Sequence, residues 1–161
     1  MPMTTHNFKP GEVIFKEGDH PTSLFLIKQG RVSIRKNSRG IPVEIGQATT
    51  NQIVGELSFF DRKPRSADAA ALTALEMIEI PFESLDPIFG PAPDYLKKIM
   101  ISLASRLRAA DDMIRDLKEQ IATGVAPEPR ADQSEGDAAK TTDYLSEMER
   151  VLEMTDPSRK K

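Results

Sequence analysis

The sequence predicts a mainly-β domain with short helices, followed by one long helix. From Phe8 to Ile80 apolar residues come in short segments broken by turn residues, with too little 3.6-residue periodicity for long helices. From Asp94 to Thr123 the chain then runs without a glycine or proline. After Gly124 it turns rich in Pro, Ala, Gly and charge.

In chain order, the candidate strands are Glu12–Phe15, Ser23–Lys28, Arg31–Arg35, Val43–Gln47, Ala67–Leu72 and Leu75–Ile80. They are separated by Gly11, Gly18-Asp19, Gln29-Gly30 and Asn37-Ser38-Arg39-Gly40, whose glycines and asparagine tolerate the positive φ of tight turns. Nothing between the strands is long enough for a crossover helix, which favours an antiparallel sandwich, jelly roll or barrel over a parallel sheet. A short helix, Phe82–Phe89, follows, and Gly90-Pro91-Ala92-Pro93 interrupts it. Asp94 is then placed to cap a helix over Tyr95–Ala122, with Gly124 just past its end. The organisation predicted is a β-domain over 1–90, a helix over 91–123, a flexible linker over 124–140 and a tail over 141–161. The linker residues (VAPEPRADQSEGDAAK from Val125) bury too little apolar surface to offset their ordering entropy. In the tail, Asp143–Met154 is periodic, with Tyr144, Leu145, Met148, Val151 and Leu152 on one helical stripe, so it is the expected grip for an effector protein, with docking back onto the same dimer, or disorder without function, as the equal alternative.

Composition removes several classes of function. With no cysteine there is no disulfide framework, thiolate zinc site or cysteine nucleophile, which fits a cytoplasmic protein. The start of the chain lacks a basic, apolar leader and no apolar run reaches bilayer length, so neither secretion nor a membrane partner is expected. A net charge of −3 argues against nucleic acid as a partner. The only histidines, His6 and His20, lie near the start, so a metal site built on several histidines has no support.

The segment that carries chemistry is Gly55-Glu56-Leu57-Ser58-Phe59-Phe60-Asp61-Arg62-Lys63-Pro64-Arg65-Ser66-Ala67. It places a helical turn after Gly55-Glu56, where backbone N–H groups favour an anion. Arg65 follows the stiff Pro64, and a guanidinium matches phosphate oxygens better than an ammonium does. Ser66 adds a hydroxyl donor, and Ala67 keeps the approach open. Glu56, which as a carboxylate only accepts, suits a sugar hydroxyl and would repel a phosphate beside it. No nucleophile is paired with a base here, so an enzyme is not expected. Read one residue at a time, Arg65 is equally a surface arginine paired with Asp61 or Asp68, Arg62 and Lys63 a solvated turn, and Phe59 and Phe60 core and rim packing.

Taken together, Gly-Glu-Leu, a short helix and Pro-Arg-Ser-Ala resemble the phosphate-binding cassette of the cyclic-nucleotide-binding domain family. The opening from Phe8 to Asp19 and the hairpin from Leu24 to Val32 resemble that family's first strands, and the similarity runs from about Phe8 to Gln120. The resemblance implies an eight-stranded β-roll with flanking helices. It also implies cAMP or cGMP as ligand, and ligand-contacting roles for Gly55, Glu56, Leu57, Ser58, Arg65, Ser66 and Ala67. Asn51 stands where the family usually has glycine, and asparagine tolerates the left-handed turn. At the family's base-contacting position in the long helix stand Ala110 and Asp111, and Asp111 is placed to accept from an exocyclic amine.

Within the long helix Leu96, Met100, Leu103, Leu107, Ala110, Ile114, Leu117 and Ile121 alternate at spacings of 4 and 3, the heptad pattern of a two-helix seam. Ile99, Ile101 and Ala104 widen the apolar face of the first half, which is therefore expected to pack on the β-domain as well. The expected protein is a homodimeric cyclic-nucleotide receptor that relays occupancy through this helix. The rival reading is the same fold kept as a ligand-free scaffold for protein contacts.

Overall fold

The computed structural model describes residues 3–124; the linker over 124–140 beyond Gly124, and the tail over 141–161 with its proposed effector stripe, lie outside the described residues. The elements are β1 (Thr4–Phe8), β2 (Val13–Phe15), β3 (Ser23–Gln29), β4 (Arg31–Ser38), β5 (Ile41–Thr49), β6 (Ile53–Val54), α1 (Glu56–Asp61), β7 (Asp68–Ala71), β8 (Leu75–Pro81), α2 (Phe82–Phe89) and α3 (Asp94–Thr123). The strands form two four-stranded antiparallel sheets, ordered β1-β8-β3-β6 and β2-β7-β4-β5, and make the eight-stranded β-roll.

The roll closes because alternate residues of both sheets point at one core. Phe25, Ile27, Val54, Leu75 and Met77 come from one sheet, and Val32, Ala48, Ala69 and Ala71 from the other. A second cluster, Leu24, Phe59 and Phe82 with Phe60 and Phe89 against it, fastens α1 and α2 to the roll. Phe59 sits edge-on to Phe60, Phe82 and Phe89 at 5.1–5.4 Å between ring centroids, the arrangement that aromatic quadrupoles favour. Phe59 and Phe60 are thus packing residues, as expected. Arg62 is exposed, as expected of a solvated turn, and its guanidinium lies 4.8 Å from the Phe59 ring centroid and pairs with Asp86.

The six strands read from the sequence are all present, with shifted ends. Two more, β1 and β6, complete the roll. The hairpin β4–β5 runs further than expected, through Asn37 and Ser38, so the turn narrows to Arg39-Gly40. Asn51 adopts φ +66, the left-handed turn expected of it.

Two expectations for α3 need correction. Asp94 does not cap the helix; it is the first helical residue after Pro93, which has no side chain able to cap. Nor does the first half dock on the roll through a wide apolar face, since only Ala104 is buried while Ile99, Ile101 and Leu103 stay 46–51% exposed. The helix is instead held by polar contacts. Arg108 bonds Asp61 at 2.6 and 3.0 Å, Lys36 pairs with Asp112 at 2.6 Å, and Ser38 and Arg39 both meet Glu119. Lys36, only 5% exposed, can be buried because its charge is paired. The polar side of α3 therefore faces its own domain, and the apolar stripe is exposed at Leu103, Ala110, Leu117 and Ile121 and half-buried at Leu96, Met100 and Ile114. No helix among the described residues is long and apolar enough to cross a membrane.

Candidate functional site

Beside α1, an open cavity of about 210 Å³ is walled by β5, β6, α1, the segment after α1, and α3. Gly55 turns the chain from β6 into α1 at φ +83, a conformation costly for any residue with a Cβ. Its bareness has a second cause, because a Cβ there would overlap the Arg65 guanidinium. Gly55→Ala is therefore expected to destabilise the protein by about 2 kcal/mol or more in urea unfolding. An unchanged midpoint would mean the two groups do not approach closely.

Arg65 is 6% exposed and fully engaged on its inner side. It donates to the Gly55 carbonyl at 3.1 Å and to the Ser23 carbonyl at 2.7 Å, and its guanidinium stacks 4.2 Å from the Phe15 ring centroid. Neither Asp61 nor Asp68 is its partner: Asp61 holds Arg108, and Asp68 accepts from the Glu17 N–H. Burial weighs against the Arg65 charge, and the nearby carboxylates of Asp19, Glu56 and Glu79 favour it. Among the described residues, Arg65 is the one cation lining the cavity.

Glu56 opens α1 and faces the same cavity. Burial pushes its carboxyl above the usual range, and Asp111 adds to this; its own backbone N–H, Arg65 and Arg108 pull the other way. The folded state thus favours the protonated form, so stability is fully present below the ordinary glutamate range and falls as pH rises through the raised value. Glu56→Gln is expected to raise the melting temperature of the ligand-free protein at pH 7 by about 3 °C, the size of roughly 0.5 kcal/mol here. The gain should vanish in acid. A melting temperature lowered at neutral pH would contradict the burial argument.

All the ligand-contacting residues expected from the sequence, namely Gly55, Glu56, Leu57, Ser58, Arg65, Ser66, Ala67 and Asp111, line this one cavity. Leu57, Ser58 and Ala67 are buried beneath it, and Ser58 donates to the Pro64 carbonyl at 3.5 Å. Asp111 reaches it from α3. Burial raises its carboxyl, Lys36 lowers it, Asp112 raises it and Arg108 lowers it. Three contributors were not singled out from the sequence. Phe15 supports the guanidinium, Leu107 lines the cavity as well as the apolar stripe, and Asp61–Arg108 ties the end of α1 to α3. The last pairing joins residues 47 apart in the chain and leaves no local signal.

Residues 5–90 match the family model for the cyclic nucleotide-binding domain. A cAMP-dependent protein kinase type II regulatory subunit of Drosophila melanogaster is 27% identical over 106 residues, which is 65% of this chain and 28% of that one. A CRP-like cAMP-activated global transcriptional regulator of Mycobacterium tuberculosis is 28% identical over 112 residues, 69% of this chain and 50% of that one. The chain thus spans half or less of the length of these relatives. Among solved structures, the cAMP-bound form of the EAL enzyme Bd1971 aligns with a TM-score of 0.63 at 23% identity, over 74% of this chain and 32% of that one, a likeness of fold.

Proposed function

This chain belongs to the cyclic nucleotide-binding domain family, and on that premise we propose that it is a dimeric receptor for cAMP or cGMP that reports occupancy through α3 to a partner protein. The observation that carries the reading is the single cavity that gathers a buried, pre-oriented guanidinium, a half-buried carboxylate and two residues of α3. Each matches one part of a cyclic nucleotide. Arg65 meets the phosphate, with Ser66 as a further donor, and holding the guanidinium beforehand on two carbonyls and a ring lowers the ordering cost of binding. Glu56 accepts from the ribose 2′-hydroxyl. Asp111, which accepts only, takes the amine edge of the purine, offered by adenine through its exocyclic amine and by guanine through two adjacent N–H donors.

The seam reading rests on exposure. Within the heptad stripe of α3, Leu103, Leu107, Leu117 and Ile121 are 46–81% exposed and Ala110 is exposed, while Leu96, Met100 and Ile114 are half-buried. A second copy of the same helix covers such a stripe by knobs-into-holes packing. Because Leu107 and Asp111 line the cavity, a ligand there touches the helix that makes the seam. It shifts that helix only as far as its affinity differs between two helix positions. Titration calorimetry with cAMP and cGMP tests the binding half of the reading. The ligand-free scaffold predicts no heat from either.

A further inference from the structure

We infer that the cavity is completed by the second copy of the chain, Arg106 of one protomer pairing with Asp111 of the other so that the partner's arginine closes the edge of the site. The inference rests on the dimer reading above and adds a residue that the single chain does not bring to its own cavity. Asp111 is half-buried on the cavity wall, yet among the described residues no group donates a hydrogen bond or forms an ion pair with it. Its two neighbouring cations are committed elsewhere, Lys36 to Asp112 at 2.6 Å and Arg108 to Asp61 at 2.6 Å. Arg106 is the converse: exposed, on the same helix, and without an ion-pair or hydrogen-bond partner among the described residues.

These two unmatched charges flank the apolar stripe in a definite register. With Leu107 and Ile114 at a positions and Leu103 and Ala110 at d, Arg106 falls at g and Asp111 at the e position of the next heptad. In a parallel two-helix seam, a g residue of one helix faces that e residue of the other. Leu107 fixes where this happens, because it belongs to the stripe and also lines the cavity. The edge of the seam and the α3 wall of the cavity are therefore one strip of helix, and a partner helix laid on the stripe brings the partner's Arg106 to the mouth of the site. Burial and Asp112 work against ionisation of Asp111 and outweigh the opposing pull of Lys36 and Arg108, so a guanidinium from across the seam adds to a compensation that its own chain leaves incomplete. One carboxylate then has two claimants, the purine edge and the partner's Arg106, so occupancy and seam pairing act on the same group.

The test is a double-mutant cycle on the ligand-free dimer, with the dissociation constant measured by sedimentation for wild type, Arg106→Gln, Asp111→Asn and the double variant. Arg106→Gln and Asp111→Asn are each expected to weaken the dimer about tenfold, two symmetry-related pairs being lost together. The double variant should be no weaker than either single, while Arg106→Lys stays within about threefold of wild type. Arg106→Gln should also shift nucleotide affinity, although Arg106 does not line its own chain's cavity. Additive effects, single variants within about twofold of wild type, or a lysine variant as damaging as glutamine would overturn the pairing. A dimer that passes the cycle but binds no nucleotide supports the pairing and removes the receptor reading. A wild-type monomer removes both the dimer and the pairing.

Discussion

Arg65→Ala is expected to lower cyclic-nucleotide affinity about ten- to a hundredfold, the equivalent of roughly 1.5–3 kcal/mol for a charge-assisted contact. Among the described residues Arg65 is the one cation that lines the cavity, so its loss leaves the phosphate facing Glu56 and Asp111 without that compensating charge. The same change strands the Gly55 and Ser23 carbonyls and uncovers the Phe15 ring, which should cost the fold about 1–3 kcal/mol. The two effects are separable. Arg65→Lys keeps the positive charge but not the planar fork that bonds both carbonyls, so it should recover part of the affinity while remaining destabilised. Calorimetry at a temperature well below each variant's melting point reads the affinity, and urea unfolding reads the stability. Unchanged affinity in Arg65→Ala would remove the phosphate role.

Leu103→Asp and Leu117→Asp are expected to turn the dimer into monomers. Both side chains are about half exposed in the single chain and neither lines the cavity, so a folded monomer should tolerate the change. In the dimer each would bury a carboxylate against its own copy. At about 2 kcal/mol for each of two copies, the dissociation constant should rise about a thousandfold. Sedimentation at tens of micromolar, with melting curves to confirm that the monomer is folded, decides the matter. Variants that sediment like wild type would show that the stripe is not the seam.

The parts of this protein readable from sequence are those whose chemistry is local. Gly55, Glu56, Arg65 and Ser66 sit within one short segment, and the constraint that a glycine turn and a Pro-Arg pair place on the backbone is written in adjacent residues. The heptad stripe on α3 was legible for the same reason, because its period lies within one helix. What escaped depended on partners distant in sequence. The strand β1 reads Thr-Thr-His-Asn-Phe, with one strongly apolar residue, and exists because β8 pairs with it across some seventy positions. At two residues, β6 is too short to show a period of 2. The polar docking of α3 was invisible because Lys36, Asp61 and Glu119 look like ordinary surface charges until Asp112, Arg108 and Ser38 are placed beside them. For the same reason apolar Ile99 and Ile101 read as part of a face shared between the roll and the seam, although they remain exposed.

The central claim is that this cavity binds a cyclic nucleotide, and titration calorimetry of the full chain with cAMP and cGMP tests it most directly. The account predicts saturable binding of at least one of them, one ligand per protomer, with a dissociation constant of about 10 μM or tighter and a loss of affinity in Arg65→Lys. No saturable binding of either nucleotide up to about 1 mM would contradict it and leave the β-roll as a protein-interaction scaffold.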